Sequence, residues 1–225
     1  LPPSVSLDLA REIVKKVREA KRPVINAGNG IRIGKAFDVF QRVVEMLGIP
    51  VVTGWNSLDC MYDSHPLYVG RAGHMGDRPG NFAVQNCDLL LSLGSRLSIR
   101  QVGYNYPTWA REAYVIYNDI DAEELKKPTV HVDMPVHADV KDLLEKLELV
   151  LDEEEFDPNG GAKDKEAVDS WIRQCQTWKE KYPVVLPKHY EAGDDEPANV
   201  YAAIKEISKR VEEDVITVVG NGSAC

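Results

Sequence analysis

The stretch 88–96, DLLLSLGSR, constrains the fold of this chain more than any other. Leu89, Leu90, Leu91 and Leu93 follow one another without the in–out alternation of a half-exposed strand. A strand of that kind is covered on both faces, as in a parallel sheet flanked by helices. Comparable runs recur as RPVINAG (22–28), IPVVTG (49–54), AYVIYNDID (113–121) and PTVHVDMP (128–135). Helical patterns separate them. Residues 7–20 place Leu9, Ile13, Val17 and Ala20 on one face, and 35–47 does the same with Phe37, Phe40, Val44 and Leu47. Residues 79–87 and 138–151 read as two further helices, and 55–78 as mostly irregular. The alternation predicts a doubly wound α/β domain over residues 1–151, built on a parallel sheet of about six strands. Ligands in such sheets sit at the carboxyl ends of the strands, where Gly28, Thr53, Gly94 and Asp119 collect.

Residues 152–166, DEEEFDPNGGAKDKE, are acidic, contain Gly and Pro, and lack periodicity, so they read as a solvated linker. Beyond them, Trp171, Cys175 and Trp178 form a stripe on a short helix halted at Pro183. A second helix from about Pro197 turns Val200, Ala203, Ile207 and Val211 inward, and VITVV (215–219) reads as a strand. One helix and one strand cannot bury two faces. Residues 167–225 therefore read as the beginning of another α/β domain, and the first residue, Leu1, is consistent with a cut end.

Charge and cysteine usage narrow the function. A net charge of −9 argues against nucleic acid or an anionic membrane as partner, since either calls for a basic face. No apolar run reaches the roughly 20 residues of a membrane span, and LPPSVSLDLAREI is not a signal peptide. Cysteines at 60, 87, 175 and 225 lack metal-ligand spacing; Cys87 and Cys175 read as core thiols, and the setting as reducing and cytoplasmic. Histidines at 65, 74, 131, 137 and 189 are scattered, so a zinc site has little support.

Four stretches carry candidate chemistry. NAGNGIRIGKA (26–36) sets Gly28, Asn29, Gly30 and Gly34 between a strand and a helix. That is a turn for close backbone approach to a ligand, or a plain β–α turn. Its G-x-G-x-x-x-G spacing is one residue longer than the dinucleotide fingerprint, and Thr53-Gly54 stands where an NAD site carries an acid. AGHMGDRPG (72–80) surrounds His74, Asp77 and Arg78 with glycines. Gly94, Ser95 and Arg96 end the apolar strand, where an arginine meets either a phosphate or a structural acid. Asn118, Asp119 and Asp121 follow the next strand as ribose ligands or helix caps. No Ser/His/Asp set, G-x-S-x-G elbow or Cys/His pair can be assembled. GNGS (220–223) adds a turn of the kind that opens onto a phosphate.

RPVINAGNG, GNFAVQNCDLLLSLGSRL, YNDIDAEELKKPTVHVDMPVHADVKDLLEKL and WIRQCQTWKEKYPV, in that order, resemble thiamine-diphosphate enzymes of the acetolactate synthase branch. The resemblance covers 20–150 well and the remainder loosely. It implies a three-domain enzyme that uses thiamine diphosphate and Mg²⁺ to decarboxylate a 2-oxo acid such as pyruvate and ligate the acyl carbanion to an acceptor. Such enzymes are homodimers or homotetramers. This chain is then the central domain plus the start of the diphosphate-binding domain, inactive alone because the activating glutamate and the G-D-G loop lie elsewhere. No catalytic or metal-binding residue is assigned to it.

The resemblance also implies FAD contacts in the central domain at Gly28, Asn29, Gly30, Thr53, Gly73, His74, Gly94, Ser95, Arg96, Arg100, Asp119, Ile120, Ala138 and Asp139. Gly220, Asn221 and Gly222 become a cofactor-proximal loop. Two departures count against FAD: the family's G-M-H-G appears as Gly73-His74-Met75-Gly76, and two aspartates of its G-A-R-F-D-D-R are Ser98 and Ile99. The alternatives are a free-standing NAD- or FAD-type nucleotide-binding module, of which sirtuin-like deacylases are the enzymatic version, and a structural spacer domain.

Overall fold

The computed structural model describes residues 2–153, 161–191, 193, 196–212 and 215–218. The chain divides into two compact units, Leu1–Lys181 and Tyr182–Cys225. The first unit contains α1 (Leu7–Glu19), β1 (Pro23–Ala27), α2 (Gly30–Ile33), α3 (Phe37–Leu47), β2 (Val51–Thr53) and β3 (Tyr68–Arg71). It continues through α4 (Arg78–Asn86), β4 (Leu89–Leu93), α5 (Ile99–Val102), β5 (Tyr114–Asp119), β6 (Met134–His137), α6 (Val140–Glu153) and α7 (Lys165–Lys181).

The six strands form one sheet in the order β3-β2-β1-β4-β5-β6, and every pairing is parallel. The doubly wound prediction is met. Burial explains the missing alternation: β1 and β4 are buried along their whole length, with successive side chains entering opposite cores. Ile25, Leu89, Leu91, Leu93 and Ile116 join the core beneath α1, α3 and α6. Val24, Leu90, Val115 and Tyr117 join the other, beneath α4 and α7. Local signals place the helices. Ser6 caps α1 by accepting the Leu9 N–H at 3.2 Å, and α3 ends at Gly48 in the left-handed region, φ +60°.

Three local expectations in the first unit are corrected. The segment 55–78 contains β3, a four-residue edge strand too short to show a pattern. Its outer edge is covered by α7, where Lys179 Nζ donates to the Tyr68 carbonyl at 3.2 Å and Gln176 Nε2 donates to the Pro66 carbonyl. The strand expected at 128–135 begins only at Met134. Val130 and Val132 instead pack against the second core, which is why they look strand-like. The helix bearing Trp171 and Cys175 runs the full Lys165–Lys181 and belongs to the first compact unit. Both side chains are buried in the core below α4, and the Trp171 indole donates to the Pro23 carbonyl at 3.1 Å.

The second unit contributes a 3-10 turn, Pro187–Tyr190, and α8 (Val200–Ser208), capped by the Asn199 side chain. The stripe expected to face inward on α8 does not: Val200, Ile207 and Val211 are exposed and only Ala202 is buried. Residues 215–218 form no strand, with Ile216 87% and Val218 90% exposed. A strand needs a neighbour to receive its N–H and C=O groups, and among the described residues none lies alongside. Val219 and the loop residues Gly220, Asn221 and Gly222 lie outside the described residues.

Burial also settles the state of the described thiols. Cys60, Cys87 and Cys175 are free and buried. Desolvation pushes Cys60 up to about 11 and Cys175 up to about 12, and pushes Cys87 up as well. These thiols are expected to stay unlabelled by iodoacetamide at pH 8 in the folded chain, read by peptide mass spectrometry. A raised acid pKa means the folded state holds its proton longer than the unfolded state does. Stability from Cys60 is therefore complete below its unfolded value of 9.0 and is lost as pH climbs to about 11. For the packing of α7, Trp171→Ala is expected to destabilise by about 3–5 kcal/mol, against about 0.5 kcal/mol or less for the exposed Ile207→Ala, read by urea unfolding.

Candidate functional site

The strand order reverses direction between β1 and β4, and the loops leaving these two strands part to opposite faces of the sheet. A cleft of about 740 Å³ opens there. The turn after β1 supplies Gly28, Asn29 and Gly30, and the turn after β4 supplies Gly94, Ser95 and Arg96. Asp119, Ile120 and Asp121 come from the end of β5, Asp139 from the start of α6, and Arg100 from α5.

The two central turns touch backbone to backbone. The Gly28 N–H donates to the Leu93 carbonyl and the Gly30 N–H to the Gly94 carbonyl, each at 2.9 Å. A Cβ on Gly28 would lie 2.2 Å from Ser95 Cα and 2.3 Å from the Gly94 oxygen. The glycines therefore close this seam, and the Gly28 and Gly30 N–H groups are spent on protein carbonyls. Beneath the seam runs a polar chain. Asn26 Nδ2 donates to Ser92 Oγ at 2.9 Å, Ser92 and Ser95 hydroxyls share a 2.7 Å hydrogen bond, and Gln101 Nε2 donates to Asn26 Oδ1. Asn26 and Ser92 are register partners across β1 and β4, and both are fully buried.

Charge is distributed unevenly over the cleft. Arg96 Nε donates to Glu124 Oε1 at 2.8 Å, and Lys127 donates to the same carboxylate at 2.6 Å. The hydrogen bond from Lys127, more than that from Arg96, holds Glu124 below the usual carboxylate range. Arg96 and Leu97 have φ of +60° and +40°, an uncommon backbone region for side-chain-bearing residues and one that recurs at ligand sites. Arg100 lines the cleft with a guanidinium that has no partner among the described residues. Asp119 is spent internally, accepting from Tyr117 Oη at 3.0 Å and from the Asp121 N–H at 3.0 Å. Burial, with Asp119 alongside, raises the Tyr117 phenol, so it stays a neutral donor. Asn118 donates to the Val136 and Ala138 carbonyls, while its buried Oδ1 has no partner among the described residues.

Four expected positions are not on the cleft wall. Thr53 is buried with its hydroxyl 3.2 Å from Tyr68 Oη, and Ala138 is buried as an acceptor for Asn118. Gly73 and His74 stand behind Arg100. The His74 N–H and Nδ1 both donate to the Arg100 carbonyl, at 3.0 and 2.8 Å. Conversely, Trp55, Ser57 and Gln101 line the cleft and carry no motif that sequence alone exposes. Asn26 and Ser92 did leave a signal, as polar residues inside apolar runs.

The arrangement can hold a ligand with one anionic group at Arg100 and a hydrogen-bond donor for Asn118. Among the described residues no group of three or more His, Cys, Asp or Glu could hold a metal ion. No bond-breaking step is assigned to the cleft.

The family model for thiamine pyrophosphate enzymes, central domain, matches residues 10–147, and the chain belongs to that family. Its relatives include the probable acetolactate synthase large subunit of Methanococcus aeolicus, 30% identical over 90% of this chain and 33% of the relative. The acetolactate synthase large subunit of Corynebacterium glutamicum is 31% identical over 97% of this chain and 33% of its own length. That of Lactococcus lactis subsp. lactis is 33% identical over 94% and 34%. The chain thus spans about a third of the length of the curated relatives it matches. No described helix is long and apolar enough to cross a membrane.

Two substitutions test the seam. Gly28→Ala drives a methyl into the Gly94–Ser95 backbone and is expected to cost about 1–3 kcal/mol of stability by urea unfolding. Ser92→Ala leaves the buried Asn26 amide without its acceptor, for a loss of about 1–3 kcal/mol.

Proposed function

We propose that this chain is the central portion of a thiamine-diphosphate- and magnesium-dependent enzyme of the acetolactate synthase type. The whole enzyme decarboxylates a 2-oxo acid such as pyruvate and joins the remaining acyl unit to an acceptor, a second 2-oxo acid being the simplest. The family match over 10–147, on a sheet whose cleft lies at the strand-order reversal, carries this reading. Thiamine diphosphate, where it is bound, supplies the electron sink for decarboxylation. The described residues supply none of that chemistry, so the 225-residue chain alone is inert, and the intact protein is a homodimer or homotetramer. The free thiols fit a reducing compartment such as the cytoplasm.

The cleft is the nucleotide site of this portion, with FAD as the candidate ligand. Its volume lies within the roughly 300–1,000 Å³ of small-molecule sites. Arg100 faces the phosphates, because Arg96 is already committed to Glu124. Asn118 Oδ1 awaits a hydroxyl or amine donor.

The test has two readouts. Pyruvate incubated with the chain, thiamine diphosphate and Mg²⁺ should release no CO₂; turnover would overturn the assignment of the chemistry elsewhere. Titration with FAD, followed by flavin fluorescence, should saturate. Arg100→Ala should weaken it about tenfold, the worth of one charge-assisted hydrogen bond, while Arg96→Ala changes it less. Equal losses at the two arginines would refute the assigned division of labour.

A further inference from the structure

At the opposite end of the sheet from the cleft, a second pocket of about 600 Å³ lies where the chain enters β1, β4 and β5. One wall is α7, with Trp171 and Trp178. Three cations from two approaches line it: Lys21 and Arg22 just before β1, and Arg111 just before β5. In a chain of net charge −9 this convergence is unusual.

These cations are only partly compensated. Lys21 stands 3.5 Å from Asp164, both well exposed. Arg22 spends its Nε on the Asn86 carbonyl at 2.7 Å, leaving the terminal nitrogens of the fork. Arg111 has no partner among the described residues. A buried acceptor adds to this: Gln85 lines the pocket, and its Oε1 is shielded from solvent without a hydrogen-bond partner among the described residues. An unpaired buried acceptor carries a desolvation penalty, which a donor brought to it relieves. Aromatic surface completes the set. Trp178 packs edge-on against Trp171 and Phe82, with centroids 5.6 Å apart in both pairs. The Trp171 N–H is already used on Pro23, so it offers the pocket ring surface only.

We propose that this pocket is a second ligand site, for a small organic carboxylate that carries an adjacent O–H or N–H donor and an apolar body. The planar carboxylate matches the guanidinium forks of Arg111 and Arg22. The adjacent donor satisfies Gln85 Oε1, and the body lies against Trp178. A monoanion suits the pocket better than a phosphate dianion. Glu112 lines the same space, and Asp88, which accepts the Lys21 and Arg22 N–H groups at 2.9 and 2.8 Å, stands beside two of the cations. The proposal rests on neither the cleft nor its nucleotide.

The probe is 3-phenyllactate, which has a carboxylate, a neighbouring hydroxyl and an aromatic body, titrated into the ¹⁵N-labelled chain. Saturable shifts should appear at the indole resonances of Trp171 and Trp178 and not at Trp55, which lines the cleft. Arg111 is exposed, so Arg111→Ala should fold normally while weakening the probe about tenfold. 3-Phenylpropanoate, which lacks the hydroxyl, should bind several-fold more weakly than phenyllactate to the unaltered chain. The two should bind equally to Gln85→Met, a variant whose thermal stability is unchanged or raised. Arg100→Ala should leave the probe's affinity as it was. Absence of shifts at millimolar probe, an unchanged affinity in Arg111→Ala, or a Trp55 response abolished by Arg100→Ala would each overturn the proposal.

Discussion

The structure depends on the direct contact between the turns that leave β1 and β4. These strands pair in register along their whole length, and beyond their last residues the two backbones still touch through Gly28, Gly30 and Gly94. The contact fixes where one half of the sheet ends and the other begins. It also fixes where the loops part, and a cleft follows from the parting. The polar chain Asn26–Ser92–Ser95 lies under the seam, where an apolar chain would pack equally well but would not orient Gln101. Low dielectric makes such a fully paired network specific, because any other arrangement strands a buried amide.

Charge around the cleft divides labour between two arginines four residues apart. Arg96 is anchored to Glu124 and shapes the rim, while Arg100 is held from behind by His74 and Gly73 with its guanidinium open to the cleft. The loop AGHMGDRPG thereby acts at one remove. Its glycines let it crowd the end of β3 and the Arg100 carbonyl, as Gly76, whose Cβ would meet the Arg71 oxygen at 2.3 Å, illustrates.

Much of this was legible in the sequence. Continuous apolar strands such as 88–94 announced two-sided burial, and glycines after β1 and β4 marked the edge at which a cleft forms. What escaped reading had physical causes. β3 is four residues long and shows no period. Val130 and Val132 mimic a strand because they fill a core from an irregular segment. Thr53, Gly73, His74 and Ala138 were placed with the ligand residues on family resemblance, and the structure puts them behind the wall, because neighbours in sequence differ in direction by half a strand repeat or a turn. Trp55 and Ser57 reach the cleft from a loop and Gln101 from the four-residue α5, and neither segment carries a periodicity.

The attachment of α7 bears on how proteins of this architecture can be taken apart and recombined. The acidic, glycine-containing stretch before it invites a cut, since nothing there looks structural from sequence. Yet the helix beyond supplies Trp171 and Cys175 to the interior and shields the free margin of β3 with Gln176 and Lys179. A chimera joined upstream of Lys165 would inherit a foreign buttress against an interior it did not evolve with. The severable joint lies after Lys181, where the first compact unit ends.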